Sequence, residues 1–184
     1  MIFGLDNVTA GYGDKEVLHG CSLTLAPRGI TVLTGPSGRG KTTVLRLLAG
    51  LESPRSGTVH APKSPAVLFQ ENRLFPHRTV LEQITDVLPR QRRDEGNSWL
   101  ELAQLTGDGE ELPAALSGGM ARRLALARAM ALGGDCLLLD EPFTGVDPLR
   151  RARFLVRLAD WPVPILLITH DPLEQSLGAK TISL

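Results

Sequence analysis

Residues Gly35, Pro36, Ser37, Gly38, Arg39, Gly40, Lys41, Thr42 and Thr43 fill every fixed position of the pattern G-x-x-x-x-G-K-[ST]. This stretch constrains the fold more than any other. Glycines let a backbone curl closely around a polyphosphate, with no Cβ in the way. Its N–H groups then converge on the anion, at the positive end of a helix that the loop itself opens. Such a loop needs a strand before it and a helix after it. Gly29-Ile30-Thr31-Val32-Leu33-Thr34 is a β-rich run, and Thr43 to Ala49 is a helix former stopped by Gly50. Lys41 suits the β- and γ-phosphates, and the Thr42 hydroxyl suits Mg²⁺, a hard cation that takes oxygen ligands.

The chain has 184 residues and 42% apolar residues, enough for one domain with a buried core. Twenty basic and twenty acidic residues cancel, which removes any bulk electrostatic argument for nucleic acid or an anionic membrane. No stretch approaches the ~20 apolar residues of a membrane helix. The N-terminus lacks the basic start and long apolar run of a secretion signal. Cys21 and Cys136 both lie in apolar runs and read as core residues, not a disulfide or a metal pair. The expectation is a reduced, cytoplasmic protein.

Taken in order, residues 2–8 and 17–25 have β composition around the turn-rich Ala10 to Lys15, where Tyr12 is the sole tyrosine. Thr58 to His60 and Ser64 to Phe69 read as strands, the second ending at Gln70. Residues 79–105 carry two helical pieces, with Leu81, Ile84 and Leu88 in one and Trp99, Leu100, Leu102 and Leu105 in the other. The charged stretch Pro89 to Ser98 separates them as an exposed loop. Leu116-Ser117-Gly118-Gly119-Met120 opens an amphipathic helix from Met120 to Leu132, with Ser117 as N-terminal cap and a second anion-binding helix start. Arg122 and Arg123 fall on its polar stripe. Cys136-Leu137-Leu138-Leu139 is a buried strand that delivers Asp140 and Glu141. Strand alternation sends these two carboxylates in opposite directions, one toward a metal and one toward an attacking water. Asp147 precedes a helix from Pro148 to Ala159. The strand Pro164 to Ile168 ends at Thr169-His170-Asp171, residues 172–178 form a short helix, and Lys180 to Leu184 a last strand. Strands alternating with helices predict an α/β fold with a mostly parallel sheet, an N-terminal antiparallel part and a small helical subdomain. Polar groups gathered at the strand ends mark its ligand edge.

The phosphate loop, Gln70, Leu-Ser-Gly-Gly at 116–119, the strand into Asp140-Glu141, Asp147 and His170, in that order, resemble the ATP-binding subunit of ABC transporters. Leu-Ser-Gly-Gly ahead of the Asp-Glu strand, with a downstream histidine, is specific to that family. The likeness runs from Tyr12 to the last strand. It implies one P-loop ATPase domain over residues 1–184, with a helical subdomain at about 76–130. It also implies roles. Tyr12 stacks on adenine, and Ser37 to Thr43 cradle the phosphates. Thr42, Gln70 and Asp140 serve Mg²⁺, Glu141 is the general base, and His170 meets the γ-phosphate. Ser117, Gly118 and Gly119 bind ATP held by a second copy in a head-to-tail dimer, and Asp147 lies at the seam. The implied partners are a transmembrane permease and a substrate-binding protein, without nucleic acid, and the implied location is the cytoplasmic face of the membrane. The helix start and Asp-Glu-Pro-Phe resemble importers of nitrate, sulfonates, taurine and thiamine precursors. The implied activity is ATP hydrolysis powering import of a small solute. A division or lipoprotein-release ATPase of the same family is the alternative, and a small-molecule kinase a remoter one.

The chain departs from the family pattern in four ways. Met120 stands where Gln is usual, and the seam loop reads Thr-Gly-Val-Asp. The helical insert is short. The chain ends 14 residues after His170, and the expectation is that the regulatory domain of some importers is absent.

Overall fold

The computed structural model describes residues 2–178 and 180–184. Strands β1 (Gly4–Tyr12), β2 (Lys15–Thr24) and β4 (Ser56–His60) form an antiparallel sheet in the order β2-β1-β4. The second sheet has the order β5-β6-β7-β3-β8, from β3 (Ile30–Thr34), β5 (Pro65–Leu68), β6 (Cys136–Asp140), β7 (Ile165–Ile168) and β8 (Lys180–Ser183). Strands β6, β7, β3 and β8 pair in parallel, with Leu138 opposite Leu166, Val32 opposite Leu167, and Leu33 opposite Ile182. All residues of β6 and β7 are buried, as continuous apolar runs in a parallel sheet require.

Among the described residues the α-helices are α1 (Lys41–Leu48), α2 (Val80–Thr85), α3 (Gly96–Ala103), α4 (Gly118–Leu132), α5 (Pro148–Ala159) and α6 (Pro172–Gln175). The chain divides into two compact units. The first holds the chain up to Val67, Gly134–Glu141 and the residues from Ala159 onward. The second holds Leu68–Gly133 and Pro142–Leu158. Within the second, α2, α3 and α4 pack on one another around Ile84, Leu100, Leu105, Leu124, Leu126 and Met130. Thr79 caps α2 by accepting from the Glu82 N–H, while the Glu82 carboxylate accepts from the Thr79 N–H at 2.8 Å, a reciprocal capping box.

Three expectations are corrected. The stretch read as an exposed loop from Pro89 to Ser98 is a 3₁₀ turn, Arg90–Glu95, running into α3 at Gly96. Its charges pair locally, with Arg92 donating twice to Glu95 at 2.7 Å, so polar composition did not mean irregular backbone. Helix α4 is buried on most of its circumference, and Arg122 and Arg123 are 3% and 4% exposed instead of facing solvent. The predicted helix over 172–178 is shorter, ending at Gln175. Cys136 is buried and Cys21 half-buried, and both are free thiols. Burial pushes the Cys136 thiol up to about 12. No helix among the described residues is long and apolar enough to cross a membrane.

Candidate functional site

The first unit gathers most of the predicted site at the C-terminal ends of β3, β6 and β7. Strand β3 leads into the glycine loop. Gly35, Gly38 and Gly40 take left-handed φ values of 137°, 81° and 97°, which side-chain-bearing residues rarely adopt. At Gly40 a Cβ would also stand 2.6 Å from the Leu18 side chain. Gly40 is the N-cap of α1, and no side chain caps that helix. Lys41 is 8% exposed and folds back along the loop, its Nζ donating to the carbonyls of Gly35 at 2.7 Å and Pro36 at 2.9 Å.

Thr42, the second residue of α1, donates from its hydroxyl to Asp140 Oδ2 at 2.9 Å. Asp140 ends β6 and is 3% exposed. A hydroxyl and a carboxylate from residues 98 apart in sequence thus meet directly beside the loop. Glu141 lies just beyond the end of β6, and Asp140 and Glu141 take different partners. The φ of Glu141 is 48°, and its N–H is held by the Ile168 carbonyl at the end of β7. The side chain turns toward His170, whose Nε2 lies 3.4 Å from Glu141 Oε1. Burial holds the Glu141 carboxyl above the usual range. Facing His170 pulls it down, while Asp140 and the buried Glu174 push it up. A half-buried carboxylate of raised proton affinity beside an exposed imidazole can accept a proton from water.

Tyr12 ends β1 and is 42% exposed. Its hydroxyl lies 3.4 Å from Thr43 Oγ1 and accepts from Arg46 at 3.3 Å, and the Arg46 guanidinium sits 5.8 Å from its ring centre. The ring is therefore tied to α1, an anchorage by Arg46 that sequence reasoning missed.

The second unit carries the remaining predicted residues. Ser117 caps α4, accepting from the Met120 N–H at 3.3 Å. Gly118 has open space where a Cβ would stand, whereas at Gly119 a Cβ would lie 2.6 Å from the Gly145 carbonyl. Glycine is thus required at 119, where the helix start approaches the Thr144–Asp147 loop. Asp147 is held by the N–H and guanidinium of Arg150, at 3.1 and 3.0 Å, which keeps its carboxyl below the usual range. Gln70 follows β5 in an irregular segment whose carbonyl accepts from Arg122 at 3.1 Å. Sequence reasoning also missed the arginines of α4 and Gln83. Their one signal was charged or amide side chains at spacings that the apolar stripe left over.

A family model described as ABC transporter matches residues 18–144. The chain belongs to the ABC transporter ATPase family. It is 45% identical over 166 residues to an aliphatic sulfonates import ATP-binding protein of Nocardia farcinica, covering 87% of this chain and 68% of that one. It is 40% identical to the protein of the same description from Granulibacter bethesdensis, covering 98% of this chain and 78% of that one. An Fe(3+) ions import ATP-binding protein of Brucella abortus is 38% identical over 96% of this chain and 56% of its own length. Among solved structures, the dimeric bacterial ABC transporter cassette MJ0796 matches with a TM-score of 0.87 at 26% identity, over all of this chain and 94% of that one. A post-hydrolysis state of that cassette, bound to ADP and Pi, shares the fold with a TM-score of 0.86 at 24% identity and the same coverage. The α/β P-loop architecture read from the sequence is the observed one, and the ABC-type ATPase binds and hydrolyses ATP.

Proposed function

We propose that the chain powers import of a small solute through a separate membrane permease, working as a head-to-tail dimer closed around ATP. The observation that carries it is the Thr42 hydroxyl on Asp140 at 2.9 Å beside the glycine loop, with Glu141 and His170 next in line. Import is supported by the descriptions of the sulfonate and Fe(3+) relatives, and the dimer by that of the MJ0796 cassette. The chemistry of the donor set fits Mg²⁺, because both groups are hard oxygens. Among the described residues no cluster of three or more His, Cys, Asp or Glu forms a metal-binding group. A divalent cation held here by Thr42 and Asp140 would need further oxygens from water or ligand. Thr42 and Asp140 would hold it, with Gln70 assigned by the family pattern. When bound, the cation neutralises charge on the β- and γ-phosphates.

The chain's own residues do the rest. Ser37 to Thr43 bind the phosphates through loop N–H groups. Lys41 exchanges its two carbonyl partners for phosphate oxygens. Tyr12, braced by Arg46, offers a face for adenine. Glu141 accepts the proton of the attacking water, and His170 donates to the γ-phosphate. Ser117, Gly118 and Gly119 serve ATP held by the second copy, and Asp147 stands at the seam. The helical part at about 76–130 is the permease-facing piece, the permease works with a substrate-binding protein, and the chain lies on the cytoplasmic face of the membrane. A tagged pull-down from detergent-solubilised membranes tests this reading. Recovery of a polytopic permease is expected, and recovery of soluble proteins alone overturns the import reading.

A further inference from the structure

In the second unit, one segment of backbone is held almost entirely by side chains. After β5 the chain from Phe69 to Arg78 forms no regular element, so its carbonyls need partners from elsewhere. Arg122 Nη1 donates to Phe69 O at 2.7 Å, to Gln70 O at 3.1 Å and to Asn72 Oδ1 at 3.1 Å. Arg128 Nη2 donates to Asn72 O at 2.9 Å and Arg73 O at 3.0 Å. Gln83, fully buried on α2, donates to Phe75 O at 2.6 Å and Arg78 O at 3.1 Å. Of these three, Arg122 alone touches Gln70.

Arg122 is also the fifth residue of α4, about one turn from the Ser117 cap and the glycines that follow it. Its guanidinium is rigid and planar, so motion of the helix start is passed to the carbonyls it grips. Stability does not explain its presence. Burying a charge is costly, and apolar side chains of similar volume often serve a core as well or better.

We propose that Arg122 is a positioning residue for Gln70. It clamps the Gln70 backbone to the N-terminal turn of α4, so that the state of the Ser117–Gly119 end sets where Gln70 stands. This rests on the reading of Gln70 as a group serving the Mg²⁺ site. The clamp is a set of hydrogen bonds, and no covalent step is involved.

The test uses the full chain as Arg122→Met, Arg122→Lys, Gln70→Ala and the Arg122→Met/Gln70→Ala double variant, with Lys41→Ala as a control. ATP turnover and amide hydrogen exchange of residues 69–73 are measured. Arg122→Met is expected to lower kcat roughly 10–100-fold, the usual cost of losing a supporting partner of a reactive group, with KM for ATP unchanged. Exchange in 69–73 rises while β6 and β7 stay protected. The double variant is no slower than Gln70→Ala, and Arg122→Lys recovers part of the loss. Two results overturn the clamp: wild-type kcat and exchange in Arg122→Met, or a loss that multiplies in full with that of Gln70→Ala. If Arg122→Met does not fold, Arg122→Gln, which has no guanidinium to grip the Phe69 and Gln70 carbonyls, carries the same cycle with the same two outcomes. Failure of the underlying reading looks different. Wild-type turnover in Gln70→Ala removes the role of Gln70, and wild-type turnover in Lys41→Ala removes the phosphate loop.

Discussion

Two glycine-rich helix starts are finished by opposite means. At α1 the N-cap is Gly40 in a left-handed conformation with no side-chain cap, and the charge comes from Lys41 resting on two loop carbonyls. At α4 the N-cap is Ser117, whose hydroxyl already accepts from Met120 N. The first start is a cradle in its own right, needing a ligand to release its lysine. The second is satisfied without one and carries no cation in its first turn before Arg122, which is committed to the segment around Gln70. On the proposed reading, the α1 start binds a nucleotide by itself. On the same reading, the α4 start receives phosphate presented by a second copy.

The sharpest way to test this division begins with chemistry. Glu141→Gln is expected to cut turnover by ~10²–10⁴, the usual worth of a positioned base, while ATP affinity is unchanged. Equal turnover would take the base role from Glu141. Lys41→Ala comes next, with ATP affinity of the isolated chain falling roughly 10–100-fold, since a charge-assisted contact is worth about 1.5–3 kcal/mol. Titration with a fluorescent ATP analogue reads it. Gly119→Ala should leave that affinity untouched, while ATP-dependent dimer on a sizing column is lost, because its Cβ meets the Gly145 carbonyl. Weakened nucleotide binding by the Gly119→Ala monomer would break the comparison.

The smallest effect is on stability. The folded Glu141 carboxyl holds its proton above the ordinary range, chiefly through burial. The folded state then binds more protons than the unfolded one, so stability from this group falls as pH rises through that window. Glu141→Gln is therefore expected to raise Tm at neutral pH. The gain should vanish as pH falls through the unfolded carboxylate value of about 4.3, where both states are protonated. A gain that persists at acid pH would show that charge burial is not its source.

Legibility followed locality. The loop 35–43 and the apolar run into Asp140 were readable because their chemistry lies in consecutive residues. The cap at Ser117 was readable too, its partner being three residues away. Arg122 was misread as a solvent-facing residue because its partners lie 50 to 53 positions back in the chain. Periodicity counts a charge as exposed and has no means of seeing a buried carbonyl. The partner of Glu141 was not readable, because its left-handed φ lies beyond the strand and His170 follows β7.

The amino-acid sequence by itself determined the family, the order of the strands and helices around the glycine loop, and the groups proposed to meet phosphate, since each is a matter of residue type at short spacing. Only the tertiary structure decided which charges are buried. It brought Thr42 to Asp140, Glu141 to His170 and Arg122 to Gln70, because those pairings depend on which unsatisfied backbone and side-chain groups the fold brings within hydrogen-bonding distance.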